Sequence, residues 1–282
     1  MTYKNLKVLE FYKDLPFNTY SSADEAIKNI KKINPTKIYP PLEDIIINNV
    51  NYNFLEIGCG VGWFSNSLKY NYKNINVVGV DFNPVAIDFA LDVQNKLNLN
   101  NKFITKDLFE LDDYYNYDLI NSVGVLHHTN NCLKAIEKII SLSPKYFFVG
   151  LYHKYGRKPF LDHFEKIKYQ YSHLNNNDLE EKLFNEYKKL DTRKMDDLHL
   201  RSWFKDQVIH PHETQHTLEE MLNIVEPKYT VVSTSINNYK RIENISLVVE
   251  NEKLLFNYGL QKLKENKYYP GFFLFLCKKN EL

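Results

Sequence analysis

Phe54-Leu55-Glu56-Ile57-Gly58-Cys59-Gly60-Val61-Gly62-Trp63-Phe64 sets an apolar run, an acid and three alternate glycines side by side. The chain has only 9 glycines in 282 residues, so this is a local concentration. Tyr52 to Ile57 reads as a buried strand, and Trp63 to Tyr70 as the first turns of a helix. A glycine corner between a parallel strand and a helix lets a ligand lie against bare backbone at a helix N-terminus. Dinucleotide folds want G-x-G-x-x-G, but the third glycine place is Trp63 here. Glycine falls at Gly62 instead, giving E-x-G-x-G-x-G with Glu56 as its first member. A tight turn without a ligand would need only one glycine.

Downstream the pattern alternates. Strands are expected at 52–57, 75–81, 102–106, 117–123 and 145–151, and helices at 62–71, 84–97 and 131–142. Tyr146-Phe147-Phe148-Val149-Gly150 is a continuous apolar run, which belongs to a parallel strand covered on both faces. Alternation with helices implies right-handed βαβ units and an α/β, doubly wound sheet. Ligands bind such sheets beyond the carboxyl ends of the strands. Asp81-Phe82-Asn83-Pro84 follows the second strand, about twenty residues past the glycines, where an acid can accept from both ribose hydroxyls. Lys106-Asp107-Leu108 follows the third, an acid for an adenine amino group and a hydrophobe for a ring face. Gly124-Val125-Leu126-His127-His128-Thr129 follows the fourth, and Tyr152-His153-Lys154-Tyr155-Gly156-Arg157 the fifth.

Taken in order, these segments resemble the successive motifs of class I S-adenosylmethionine (SAM)-dependent methyltransferases of the broad ubiquinone-biosynthesis-like group. The resemblance covers about 50–151 and, loosely, the C-terminal strands. One departure is Ser143-Pro144-Lys145, where many relatives have a Pro-Gly-Gly turn. The resemblance implies a Rossmann-like sheet of seven strands with the last inserted antiparallel. It also implies SAM as cofactor. Gly58, Cys59 and Gly60 would meet the methionine part, and Glu56 would orient that loop. Asp81 would hold the ribose, Phe82 would cover the adenine and Asp107 would take its amino group. Gly62, Asn83, Leu108, Gly124 and Val125 complete the expected cofactor set.

Residues 1–50 read as a helical cap: an apolar stripe over Lys4 to Asp14, a capping box at Ser22-Ala23-Asp24-Glu25, and a restart at Pro41 running to Val50. In many relatives such a cap closes over the cofactor, which puts Tyr20 in the cofactor set. An ordinary packed arm is the other reading. Residues 51–151 are the expected SAM-binding core. Residues 152–216 are an insertion at the ligand end, with helices at 159–171 and 178–190, the second capped by Asn177. It reads as a substrate lid, a homodimer surface over 157–195, or a solvated helical pair. Residues 217–282 return to the sheet. Thr217-Leu218-Glu219-Glu220 caps a helix 218–225, and a strand 229–236, a helical insert around 251–264 and a strand from Phe272 to Cys277 follow.

The segment Leu198 to His216 holds four of the nine histidines and one of the two tryptophans. His212-Glu213-Thr214-Gln215-His216 matches H-E-x-x-H, which needs both histidines on one face of a continuous helix. The capping box starts the helix at Thr217, so the match falls on a loop. Other readings are a metal held by His210, His212 and His216 in another geometry, a packed loop, and a substrate-facing loop supplying a base. The last is favoured here. His127, His210, His212 and Glu213 are then the candidate bases, required only if the acceptor must lose a proton. His128, Tyr152, Arg157 and Trp203 are the candidate substrate contacts. No metal is assigned.

Lys+Arg 36 against Asp+Glu 35 leaves a net charge of +1, without a footprint for nucleic acid or an anionic membrane. The Asn-Pro-Pro-Tyr-type tetrapeptide of enzymes that methylate nucleic-acid amino groups is absent after the fourth strand. Three scattered cysteines give neither a disulfide framework nor paired thiols for arsenic methylation. They fit a reducing compartment, and a cytoplasmic location is expected; the first thirty residues carry no long apolar run. The expected activity is methyl transfer to an O or N atom of a small-molecule or lipid-like metabolite. The alternatives are a metal-dependent hydrolase centred on His210 to His216 and a non-catalytic SAM-binding protein.

Overall fold

The structure is a computed structural model and describes residues 6–47, 51–112 and 116–281. Helices α1 (Leu6–Asp14), α2 (Ala23–Lys32), α3 (Pro35–Ile38) and α4 (Glu43–Ile47) precede the sheet. The Ser22 hydroxyl caps α2 by accepting from the Glu25 N–H at 3.3 Å. Pro40 and Pro41 open a turn of 3-10 helix ahead of α4, because neither ring nitrogen can donate. The expected helix residues Lys4 and Val50 lie outside the described residues.

The sheet begins with β1 (Asn53–Ile57), α5 (Trp63–Asn71), β2 (Asn76–Asp81), α6 (Pro84–Lys96), β3 (Lys102–Thr105), β4 (Leu119–Val123), α7 (Cys132–Ser141) and β5 (Tyr146–Tyr152). These differ from the sequence expectation by one or two residues at most ends. β1 to β5 pair in parallel. Alternate residues of one strand feed opposite faces, as the pleat requires. Leu55 and Ile57 join Phe147 and Val149 in one core, whereas Phe54 joins Phe64, Leu119 and Phe148 in the other. All three cysteines are buried and free.

Beyond β5 come α8 (Lys154–Gln170), α9 (Asn176–Leu190), α10 (Asp197–Val208), α11 (Leu218–Val225), β6 (Tyr229–Thr234), α12 (Ile245–Asn251), α13 (Leu254–Lys264) and β7 (Phe272–Lys279). The sheet order is β3-β2-β1-β4-β5-β7-β6, with β7 antiparallel to both neighbours. The Rossmann-like sheet with an antiparallel last strand is therefore present.

Four expectations after β5 need correction. Helix α8 starts at Lys154, not Pro159. The His153 ring caps it, with Nδ1 accepting from the Tyr155 and Gly156 N–H groups at 3.2 Å each. That leaves Nε2–H to donate to Glu252 at 2.6 Å. Helix α9 is capped by Asn175 rather than Asn177, since Asn175 Oδ1 reaches the Asp178 N–H at 3.0 Å. The insert around 251–264 is two helices, α12 and α13. Residues 197–208, read as the start of a loop, form α10. Asp196 caps it, accepting from the His199 N–H at 2.8 Å. Its buried set (His199, Leu200, Ser202, Phe204, Asp206, Gln207 and Val208) spans most of its circumference, so no amphipathic stripe marks it. Phe160, Phe164, Phe184, Tyr187 and Phe204 pack α8, α9 and α10 around a shared apolar cluster.

Candidate active site

β1 ends where the chain turns through left-handed backbone at Gly58 (φ 72°) and Gly60 (φ 50°). The two glycines serve different needs. A Cβ at Gly58 would sit 2.3 Å from Val125 Cγ2, so Gly58 permits close packing against the loop after β4. A Cβ at Gly60 would have no neighbour nearer than the Phe17 carbonyl oxygen at 3.9 Å, so bare backbone faces open space there. Val80 O anchors the turn by accepting from the Gly58 and Cys59 N–H groups at 2.7 and 3.0 Å.

Glu56 sits beneath the turn, buried, and its Oε2 accepts from the Ser65 N–H (3.0 Å) and hydroxyl (2.5 Å) in the first turn of α5. Burial pushes its carboxyl up to about 8, against the pull of the Ser65 hydrogen bonds. The folded state therefore holds a proton that the unfolded chain releases near the ordinary value of 4.5. The stability this contributes is full below about 4.5 and lost as pH rises towards 8. Glu56→Gln should retain the fold and flatten urea-unfolding stability between pH 5 and 8 by roughly a few kcal/mol. An unchanged pH slope in the variant would contradict this account.

At the carboxyl end of β2, Asp81 Oδ2 accepts from the Gly60 N–H at 2.8 Å and Oδ1 from the Asn83 N–H at 2.9 Å. Burial pushes the Asp81 carboxyl up, while the backbone N–H groups of Asn83, Gly60 and Phe82 pull it down. Asn83 caps α6 through Oδ1, and its Nδ2 donates to the Tyr12 carbonyl at 3.0 Å. A cleft opens at these strand ends. Gly58, Gly60, Asp81, Phe82, Asn83, Asp107, Leu108, Gly124 and Val125 line it, as the sequence expectation has them. Glu56, Cys59 and Gly62 are not among the lining residues; Glu56 and Cys59 are buried, and a Cβ at Gly62 would sit 2.5 Å from Ala90 Cβ. Tyr20 is not among the lining residues; its ring packs 4.4 Å from that of His199. The roof is instead Val8, Tyr12, Pro16 and Phe17, which the sequence reading did not single out.

At the far end of the cleft His128, Thr129 and Asp206 join the lining. Asp206, from α10, accepts a hydrogen bond from the Tyr12 hydroxyl and, at 3.2 Å, one from the Tyr152 hydroxyl. His128 Nδ1 lies 2.9 Å from the His212 carbonyl oxygen, which can only accept, so Nδ1 carries the hydrogen. Its Nε2 is 3.5 Å from Asp206 Oδ1. Burial opposes the charge of Asp206, but His128, His210 and the Tyr12 hydroxyl outweigh it and hold the carboxyl below its ordinary range. Four segments thus converge: α1, the loop after β4, the end of β5 and α10.

The remaining expected catalytic and substrate residues sit elsewhere. His127 is buried against Tyr152, ring centres 4.3 Å apart, and burial pushes its imidazole well below the ordinary value. His210 stacks on His128 at 3.8 Å, pushed down to about 3 by burial and then by His128. His212 Nε2 donates to the Thr129 carbonyl at 3.0 Å. Arg157 and Glu213 do not face the cleft, contrary to their expected roles. Arg157 is fully buried behind Tyr152, with its guanidinium carbon 3.8 Å from that ring centre. It holds both Glu213 oxygens, at 3.0 and 2.6 Å, and the Gln207 carbonyl at 2.7 Å. Both carboxylate oxygens of Glu213 are thus taken up by the guanidinium. Tyr152 is buried between Arg157 and His127, and Trp203 packs on Phe17 at 4.7 Å behind the roof.

The H-E-x-x-H stretch is not helical. His216 bonds Glu220 and Thr214, at 3.2 and 2.8 Å, while His212 turns to Thr129. The two rings therefore do not share a helix face. Among the described residues no group of three His, Cys, Asp or Glu side chains could hold a metal ion. No helix among them is long and apolar enough to cross a membrane.

A family model described as a methyltransferase domain matches residues 48–172. Malonyl-[acyl-carrier protein] O-methyltransferase 2 of Ilyobacter polytropus is 33% identical over 97 residues, covering 29% of this chain and 36% of that protein. Pavine N-methyltransferase of Thalictrum flavum subsp. glaucum is 25% identical over 128 residues, covering 45% of this chain and 33% of its own length. The chain thus spans about a third of these relatives. The structure of PKMT2 from Rickettsia typhi in complex with AdoHcy superposes with a TM-score of 0.58 at 17% identity, covering 82% of this chain and 49% of that one, and shares the fold. With the E-x-G-x-G-x-G turn, the Asp81 wall and the β7 insertion in place, residues 48–172 are identified as a methyltransferase domain of the kind that uses S-adenosyl-L-methionine.

Proposed function

We propose that the chain transfers a methyl group from SAM to an O or N atom of a small-molecule or lipid-like metabolite. The observation that carries this reading is the pairing of bare backbone at Gly60 with the Asp81 carboxylate on one cleft wall. The residues present fit the cofactor. Gly60 leaves room for the methionine part, and Asp81 keeps lone pairs for ribose hydroxyls beyond the two N–H groups it already accepts. Phe82 and Leu108 offer apolar faces for the base, and Asp107 an acceptor for its amino group. SAM supplies a methyl already activated on a sulfonium, so the protein's work is mainly alignment and exclusion of water.

Residues 1–50 supply the roof in this reading, 51–151 the cofactor wall, 152–216 the substrate side and 217–282 the closing strands. A largely apolar cleft and near-neutral net charge suit a small or lipid-like acceptor better than nucleic acid. The test is equilibrium dialysis with methyl-labelled SAM, followed by transfer to tyramine, catechol, octylamine and octanoate. Saturable binding and label on an acceptor are expected. Failure to bind SAM sinks the proposal; binding without transfer to any of the four supports the non-catalytic alternative.

A further inference from the structure

The roof of the cleft is tied to α10 at a point outside the cleft. We infer that this tie is a latch centred on Asn18, and that Asn18 is a positioning residue which sets how long the site retains SAM. This rests on the methyltransferase reading and goes beyond it, because it assigns cofactor retention to side chains that do not line the cleft.

Asn18 directly follows Pro16 and Phe17, which do line the cleft. Its backbone is left-handed (φ 57°), a conformation asparagine adopts more readily than most residues. Its Oδ1 lies 2.6 Å from His199 Nε2 and 3.2 Å from Trp203 Nε1. An indole N–H can only donate, so the amide oxygen faces it, and His199 must then carry a hydrogen on Nε2. His199 and Trp203 are four residues apart on α10 and so share a face. Aromatic packing backs both bonds. Tyr20 lies 4.4 Å from His199, Phe17 lies 4.7 Å from Trp203, and the Arg193 guanidinium lies 4.0 Å from the Trp203 ring centre. Asn18, Tyr20, His199 and Trp203 are all absent from the cleft lining.

The latch reaches the cofactor side through Phe17. The Phe17 carbonyl oxygen is the nearest atom to the Cβ position of Gly60, 3.9 Å away, so it faces the bare backbone where the methionine part of SAM would lie. Asn18 fixes the peptide that carries this carbonyl. The roof is also tied at Tyr12, whose hydroxyl donates to Asp206 and whose carbonyl accepts from Asn83 Nδ2 at 3.0 Å. Those bonds hold α1, five residues earlier, and do not fix the Phe17 peptide. A ligand on the Gly60 turn therefore lies under Pro16 and Phe17, and the strength of the latch enters its dissociation rate.

The test follows release of labelled SAM from the full chain after dilution into excess unlabelled SAM. Asn18→Gly keeps the left-handed backbone and removes the acceptor. It should speed release about tenfold or more, as expected for the loss of two hydrogen bonds. Asn18→Asp keeps an acceptor oxygen for both donors and should stay within about threefold of wild type. Trp203→Phe keeps a ring against Phe17 and removes one donor. It should speed release about fivefold, and add little in the Asn18→Gly background. Hydrogen exchange separates a latch from general loosening: in Asn18→Gly the amides of residues 11–20 should lose protection while those of β4 and β5 keep it. Should Asn18→Gly misfold, the Trp203→Phe release rate decides. Wild-type release from Asn18→Gly or Trp203→Phe, an aspartate variant no better than glycine, additive effects in the double variant, or loss of protection across β4 and β5 overturns the inference and leaves the methyltransferase reading standing. A wild-type chain that binds no SAM strikes that reading instead, and exchange over residues 11–20 in the glycine and aspartate variants still decides the latch.

Discussion

Asp81→Ala is expected to weaken SAM binding by about 100-fold or more. In the proposed site the carboxylate would accept from ribose hydroxyls, and a hydrogen bond to a charged group contributes roughly 1.5–3 kcal/mol. The same oxygens already hold the Gly60 and Asn83 N–H groups, so alanine also releases the glycine turn. Together these exceed the ~2.7 kcal/mol that a hundredfold change requires. Asp81→Asn keeps one acceptor oxygen and should fall between the two. Equilibrium dialysis with labelled SAM measures both. Alanine binding within about threefold of wild type would remove Asp81 from the site.

Arg157→Met is expected to cost about 3–5 kcal/mol of stability, the range for breaking one partner of a buried ion pair. Methionine fills part of the space but leaves Glu213 without its bidentate partner and the Gln207 and Pro270 carbonyls without donors. Tyr152 also loses the cation stacked on its ring. At roughly 2–4 °C per kcal/mol for a chain of this size class, the midpoint should fall by about 10 °C. Arg157→Met combined with Glu213→Gln should recover part of the loss, since it removes the stranded charge. Urea unfolding decides; a cost under about 1 kcal/mol would show that the pair is not the buried anchor its geometry indicates.

The strand-end side of the cleft was legible because its information is local. An apolar run followed by Gly58-x-Gly60, or by Asp81 and Asp107, announces itself within ten residues. The strand-end rule then places these groups together without knowledge of side-chain contacts. The far side was not legible in the same way. Tyr12 and Asp206 meet across 194 positions of sequence, and no spacing rule links them. Helix α10 was missed because neighbours bury it on most sides, which erases the 3.6-residue period. Arg157 read as a substrate contact and Glu213 as a base because sequence gives residue type but not burial. The pairing that made them structural spans 56 positions.

The strand order carries a consequence for how the chain is made. β7 lies between β5 and β6, yet it is synthesised after both. When Tyr229–Thr234 leaves the ribosome, its partner Phe272–Lys279 is some forty residues behind, at roughly 5–20 residues per second. Through that interval the apolar edge of β5 faces solvent, and β6 has no rung of the ladder to join. Exposed strand edges recruit other chains. A nascent chain stalled before Phe272 would therefore leave the edges of β5 and β6 unpaired at once.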